Sequence, residues 1–182
     1  EDMDPMSNLI MGEELGYADA GLAISLGAGG MPFSYAALFP EPKLQEIARA
    51  YAEDTKGELV GCWAITEPDH GSDWVLGGDD PKRGPSVRGV LKGDEYIVNG
   101  QKAAWVSNGT IATHAVFHVG LAPERGMEGQ GLAIIPLDLP GISRGKPLNK
   151  IGQRALNQGE IFFEDVKIPK EYMTITPDMG IM

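Results

Sequence analysis

Between Cys62 and Asp73 the chain reads Cys-Trp-Ala-Ile-Thr-Glu-Pro-Asp-His-Gly-Ser-Asp, an apolar run that gives way to a short polar loop. Trp63 to Thr66 suits a buried strand, and Pro68 ends it, because proline fixes φ and offers no N–H to a ladder. Gly71 lets the backbone come close to a partner, and Ser72 and Asp73 place short polar groups beside free amides. Such a loop can hold a phosphate or the polar edge of a heteroaromatic ring. The same composition also suits an ordinary strand-ending turn, since Pro-Asp and Gly-Ser are common turn pairs.

A second stretch narrows the choice. Gly100-Gln-Lys-Ala-Ala-Trp-Val-Ser-Asn-Gly109 brings an indole and a hydroxyl two residues apart, and a third holds Gly152-Gln153-Arg154 followed by Phe163-Glu-Asp-Val-Lys-Ile-Pro169. Thr66 to Asp73, Asn99 to Asn108, and Gly152 to Pro169 together resemble, in order and spacing, the acyl-CoA dehydrogenase family. Glu13 to Leu15 and Asp19 to Ala23 resemble its N-terminal helical part, so the likeness extends from about Glu13 to Met173. His70-Gly71-Ser72-Asp73 is similar to the glutaryl-CoA branch, though one residue does not set a substrate.

The resemblance implies FAD as cofactor and an acyl-CoA thioester as substrate. A flavin needs donors at its N1/O2 edge, a donor near N5/O4, and a wall for the ring. On the family pattern Ile65 and Thr66 lie at the first edge with Trp63 on the flavin side, and the segment Trp105, Val106, Ser107 lies against the ring, with Trp105 as the wall and Ser107 as the N5/O4 donor. Gly71 and Ser72 face the pyrophosphate, and Ser72 also the acyl-CoA. Ser107 replaces the commoner threonine and keeps its hydroxyl. Arg154 is a substrate-side residue or pairs with Glu160 or Glu164. After it the chain reads Ala155-Leu156-Asn157-Gln158, where the family often has Ala/Cys-Ser-x-Thr, a departure that alters the acyl or CoA channel.

The implied reaction is α,β-dehydrogenation. A carboxylate base takes the α-proton, the flavin takes the β-hydride, and hydrogen bonds to the thioester carbonyl stabilise the enolate. In the family that base is a glutamate of a C-terminal four-helix domain. Residues 170–182 contain no such domain, and Glu67 and Glu164 belong to the motifs, so no catalytic residue is assigned and the chain reads as a fragment of a longer enzyme. The resemblance further implies an electron-transferring flavoprotein as acceptor and a homotetramer or homodimer. An acyl-CoA oxidase, a flavin monooxygenase-like relative and a non-enzymatic β-barrel binding module are the alternatives.

Other chemistry-bearing side chains carry less. His70 reads as a loop residue at the ligand mouth, Trp74 as packing, and His114 and His118, alternating with Val116, as structural strand residues. Three histidines and one cysteine, Cys62, show no metal-ligand spacing and no disulfide framework.

These groups need a scaffold of two textures. Residues 1–58 read as part of a helical domain. Met6 to Leu26 has helical apolar spacing, Gly29-Gly30-Met31-Pro32 is expected to break it, Phe33 to Phe39 reads as a short helix, and Pro42 to Tyr51 as a clear amphipathic one. Residues 59–175 read as an antiparallel β-barrel or sandwich, making the whole α+β, with 176–182 the start of a linker or further helical domain. Strands are expected near 59–66, 86–92, 95–106, 113–121, 131–136 and 161–168. Lys92 to Glu95 supplies a hairpin turn, Asn99-Gly100 a bend, and Asp79 to Pro85 and Pro123 to Gln130 exposed loops.

The chain has 182 residues, 42% hydrophobic and 23% charged, as globular proteins do. A net charge of −11 argues against nucleic acid or an anionic membrane surface as partner. No stretch is long and apolar enough to span a bilayer, no signal or transit peptide is legible, and lone Cys62 favours a reducing compartment, the cytoplasm or a mitochondrial matrix.

Overall fold

The computed structural model describes residues 4–72 and 78–179. Two helices precede a mixed sheet. Helix α1 spans Pro5–Ala36 and α2 spans Pro42–Glu53. The strands are β1 Gly61–Ala64, β2 Arg88–Lys92, β3 Glu95–Ser107, β4 His114–Gly120, β5 Gln130–Pro136, β6 Ile142–Arg144, β7 Gln158–Pro169 and β8 Met173–Ile175.

The break expected at Gly29 to Pro32 is absent. The helix runs through to Ala36, so Phe33 to Ala36 is its last turn rather than a separate helix. Pro32 is tolerated there because the segment is held by packing: Phe33, Ala36, Leu44 and Ile47 form one cluster with Val116, Leu132 and Ile134. The interruption falls at Asp19 instead, whose backbone is extended (φ −162°, ψ 109°). Its carboxylate accepts from the Leu22 N–H at 2.8 Å and so caps the second helical run, just as Asp4 accepts from Met6 and Ser7 at the first.

The sheet order is β6-β7-β3-β2-β4-β5-β8, with β1 paired to β4. Neighbours along β6-β7-β3-β2 and β4-β5-β8 are antiparallel, but β1 and β2 both run parallel to β4. The sheet is therefore mixed and open, and the antiparallel barrel is corrected. Hairpin turns decide only adjacent pairs. The β2–β3 hairpin lies inside the connection from β1 to β4, and such a crossover brings β4 back in the same direction as β1.

Alternation along β4 and β5 splits the core in two. Ala115, Phe117, Val119, Ala133 and Ile135 face a cluster shared with Cys62, Ala64, Val98, Ile161, Phe163 and Val166, while Val116, Leu132 and Ile134 face the helices. Both faces being covered, β5 reads as the apolar run Leu132 to Ile135 without polar alternation. β1 passes close over α1. A Cβ on Gly61 would meet Pro32 and would lie 2.6 Å from the Gly29 carbonyl oxygen. The Lys92 to Glu95 turn forms as expected, and Asn99-Gly100 is a bulge in the β3–β7 ladder with Gly100 at φ +139°. β1 stops at Ala64, two residues before the expected end, and the short strands β6 and β8 went unforeseen. Pro123 to Gly129 is a 3-10 segment with Gly126, Met127 and Gly129 buried, so it is not the exposed loop expected.

Candidate functional site

The two chemistry-bearing stretches meet where β1 ends. The Ala103 N–H donates to the Thr66 carbonyl at 2.9 Å, which joins the Thr66 loop to β3. Beside it Lys102 reaches inward. Its Nζ donates to Glu67 Oε1 at 2.6 Å and to the Ile65 carbonyl at 3.1 Å, and neither charged side chain has any exposed surface. The Glu67 carboxylate also accepts from the N–H groups of Ser86 and Val87. Burial pulls the Lys102 ammonium down to about 8, against an upward pull from Glu67. Removing one member of such a pair costs about 3–5 kcal/mol, because the other is left charged and unpaired. The pair therefore fixes the path of the chain at Ile65 to Glu67. A bridge between Glu67 and His70, with N–H to carbonyl bonds of 3.1 and 3.3 Å, then closes the Pro68-Asp69 turn.

Two indoles stand at the surface here: Trp63 on β1 is 42% exposed and Trp105 on β3 is 61% exposed. The β3–β7 register shifts between Lys102 and Val106, and that bulge carries Trp105 out of the ladder. Val106 turns inward and is buried in the core, so only its backbone is available to a ligand. Ser107 stays partly exposed, and its Oγ and the Trp105 carbonyl both accept from Gln158 Nε2, at 3.3 and 3.0 Å. Among the described residues, the N–H groups of Ile65 and Thr66 have no hydrogen-bond partner. The end of β1 thus offers two consecutive donors beside an exposed indole and a hydroxyl.

Buried neighbours hold this surface in place. The Trp63 Nε1–H donates to His118 Nε2 at 2.9 Å, so the His118 proton sits on Nδ1 and donates to Gln130 Oε1 at 3.0 Å. Burial is the main force pulling His118 down to about 4, which keeps the ring neutral. Asn108, fully buried at φ +63°, donates from Nδ2 to the carbonyls of Ser25 and Gly61 at 2.9 and 3.1 Å and accepts from the Ser25 hydroxyl at 2.7 Å.

Gly71 and Ser72 are exposed, while Asp73 and Trp74 lie outside the described residues. Arg154 does not pair with Glu160 or Glu164. Its guanidinium donates to Asn149 Oδ1 at 2.9 Å and the Lys150 carbonyl at 2.6 Å, and Glu160 accepts from Gln101 instead. Among the described residues no group of His, Cys, Asp and Glu could hold a metal ion.

A family model for the acyl-CoA dehydrogenase middle domain matches residues 62–166. The chain belongs to the acyl-CoA dehydrogenase family. The matched span of this acyl-CoA dehydrogenase family member contains both site stretches and ends within β7. The chain is 33% identical over 126 residues to the mitochondrial short-chain specific acyl-CoA dehydrogenase of Rattus norvegicus, a match covering 69% of this chain and 28% of that protein. It is 33% identical over 162 residues to the cyclohex-1-ene-1-carbonyl-CoA dehydrogenase of Geobacter metallireducens, covering 87% and 39%. The crystal structure of an acyl-CoA dehydrogenase from Geobacillus kaustophilus superposes with a TM-score of 0.75 at 28% identity, covering 93% of this chain and 42% of that one. The chain thus spans well under half the length of these relatives.

Sequence reasoning missed three supports of the site. Lys102 and Glu67 were read as motif letters, yet a lysine in the middle of an apolar strand is a signal for a buried partner. Asn108, between a hydroxyl residue and a glycine, could have been read as a left-handed turn residue. Nothing in the sequence pointed to Gln158 as the partner of Trp105 and Ser107.

Proposed function

We propose that the protein carrying this chain catalyses the FAD-dependent α,β-dehydrogenation of an acyl-CoA thioester, and that this chain supplies the flavin-contacting surface. One observation carries the reading: the Thr66 loop and β3, which carries Trp105 to Ser107, are distant in sequence and joined by the Ala103 to Thr66 hydrogen bond, beside an exposed indole and two amides that have no partner among the described residues. When bound, FAD would accept the hydride leaving the acyl β-carbon. The Ile65 and Thr66 N–H groups and the Thr66 hydroxyl suit the N1/O2 edge, and the Ser107 hydroxyl suits the N5/O4 edge. Trp105 is a ring-sized wall, and Gly71 and Ser72 are open enough for a pyrophosphate and a pantetheine arm to approach. Glu67 is not the base, because it is buried and already paired with Lys102. The names of the relatives support the thioester substrate, and the family resemblance supports an electron-transferring flavoprotein as acceptor and a homo-oligomeric assembly.

The test is an anaerobic absorption titration of the full-length protein with a panel of acyl-CoAs. Bleaching of the oxidised flavin band by one thioester is the expected result and names the acyl class. A protein that binds no FAD on reconstitution, or whose flavin no acyl-CoA bleaches, would overturn the reading.

A further inference from the structure

Lys102 is an expensive way to pin a loop. A buried ion pair is often no more stabilising than packed apolar residues of the same volume, and here burial already works against the ammonium. Its geometry suggests a different use. The ammonium donates to the Ile65 carbonyl oxygen at 3.1 Å. That carbonyl and the Thr66 N–H are the two ends of one peptide group. A cation held on the oxygen draws density through the amide and strengthens its N–H as a donor. The Thr66 N–H has no partner among the described residues, so its donor capacity is available to a ligand. Glu67, itself held by the Ser86 and Val87 N–H groups, keeps the ammonium in place, yet it is the ammonium that touches the Ile65 carbonyl.

We propose that Lys102 is a positioning residue that polarises the Ile65–Thr66 peptide, so that the Thr66 N–H binds the reduced, anionic flavin ring more tightly than the oxidised one. The inference rests on the flavin reading above and adds to it a residue that shifts the redox balance without touching the cofactor.

The test uses the full-length protein, its Lys102→Met/Glu67→Gln double variant and the single variant Glu67→Gln. The double variant removes both charges together and leaves no lone buried ion. Thermal melting reports the fold, fluorescence quenching the Kd for oxidised FAD, and a redox titration the midpoint potential. In the double variant we expect oxidised FAD to bind within about threefold of the parent and reduced FAD to bind about tenfold more weakly, a fall of about 30 mV in the two-electron potential. Glu67→Gln removes the charge that holds the buried Lys102 protonated, so the lysine becomes neutral and the potential should fall toward that of the double variant. Equal weakening of both redox forms, or an unchanged potential, in the double variant would show a purely structural pin and overturn the inference. So would a potential unchanged from the parent's in Glu67→Gln, which decides the matter should the double variant fail to fold. A parent that binds no FAD fails at the earlier step, the flavin reading itself.

Discussion

His118 shows how one buried ring ties a surface indole to a protonation state. It accepts from Trp63 through Nε2, an interaction open only to the neutral imidazole. Its pKa is pulled down to about 4 in the fold, from 6.5 in an unfolded chain. Between those values the unfolded chain binds the extra proton. The stability His118 contributes is therefore present above pH 6.5 and is lost as pH falls toward 4, by about 3 kcal/mol. Denaturant unfolding at pH 7 and pH 4 should show the parent losing about that much more than His118→Gln, which cannot titrate. Equal losses in the two proteins would mean that His118 is not neutral by necessity. The sequence placed this histidine on a strand as a structural residue, and it could not show the indole partner, which lies 55 residues away. Lys102 and Glu67 stayed illegible for the same reason. Lysine is ordinarily solvated, and only the fold brings a carboxylate 35 residues distant into its reach.

At the scale of elements, the closest packing is the crossing of α1 and β1. Gly61 falls inside the strand expected over 59–66, and it is the residue that lets β1 lie on the Gly29 to Pro32 segment. Gly61→Ala would drive a methyl against the Pro32 ring and the Gly29 carbonyl. Overpacking of this kind costs about 1–3 kcal/mol. The denaturation midpoint should fall accordingly, with no change in flavin affinity per folded molecule, and an unchanged midpoint would show that the helix can slide away. The same crossing explains why Gly29-Gly30-Met31-Pro32 misled the sequence reading. Those residue types mark a break when a segment is taken alone, whereas here they provide room for a neighbouring strand. Amphipathic α2 and the Lys92 to Glu95 hairpin were legible because their signals are local: a helical apolar face in one, a two-residue turn with glycine at φ +66° in the other.

At the scale of the molecule, the α+β composition could be read from the change in texture near residue 58, but strand direction could not. Turn chemistry orders neighbours in sequence, and β1 finds its partner β4 only across an intervening hairpin. The proposed site lies at that non-local junction, so its residues could be picked out by motif while their contacts had to await the fold.

Asn108 has a consequence for how this molecule breathes. One carboxamide holds the carbonyl of Ser25 on α1 and that of Gly61 on β1, while its backbone oxygen accepts from Ile111 and Ala112 at 2.9 and 2.8 Å. Helix, strand and the turn behind Trp105 therefore hang on a single knot, and local opening of one should release the others. Asn108→Gly keeps the left-handed backbone and removes the knot, leaving the Gly61 carbonyl short of a donor at about 1–3 kcal/mol. By hydrogen exchange, amides around Leu22 to Gly29 and those of Ile111 and Ala112 should speed up by a common factor. Acceleration confined to the helix would mean that the two sides open separately. Where the factor is shared, the helix and the turn after β3 form one cooperative unit, fastened by a residue with no solvent-exposed surface.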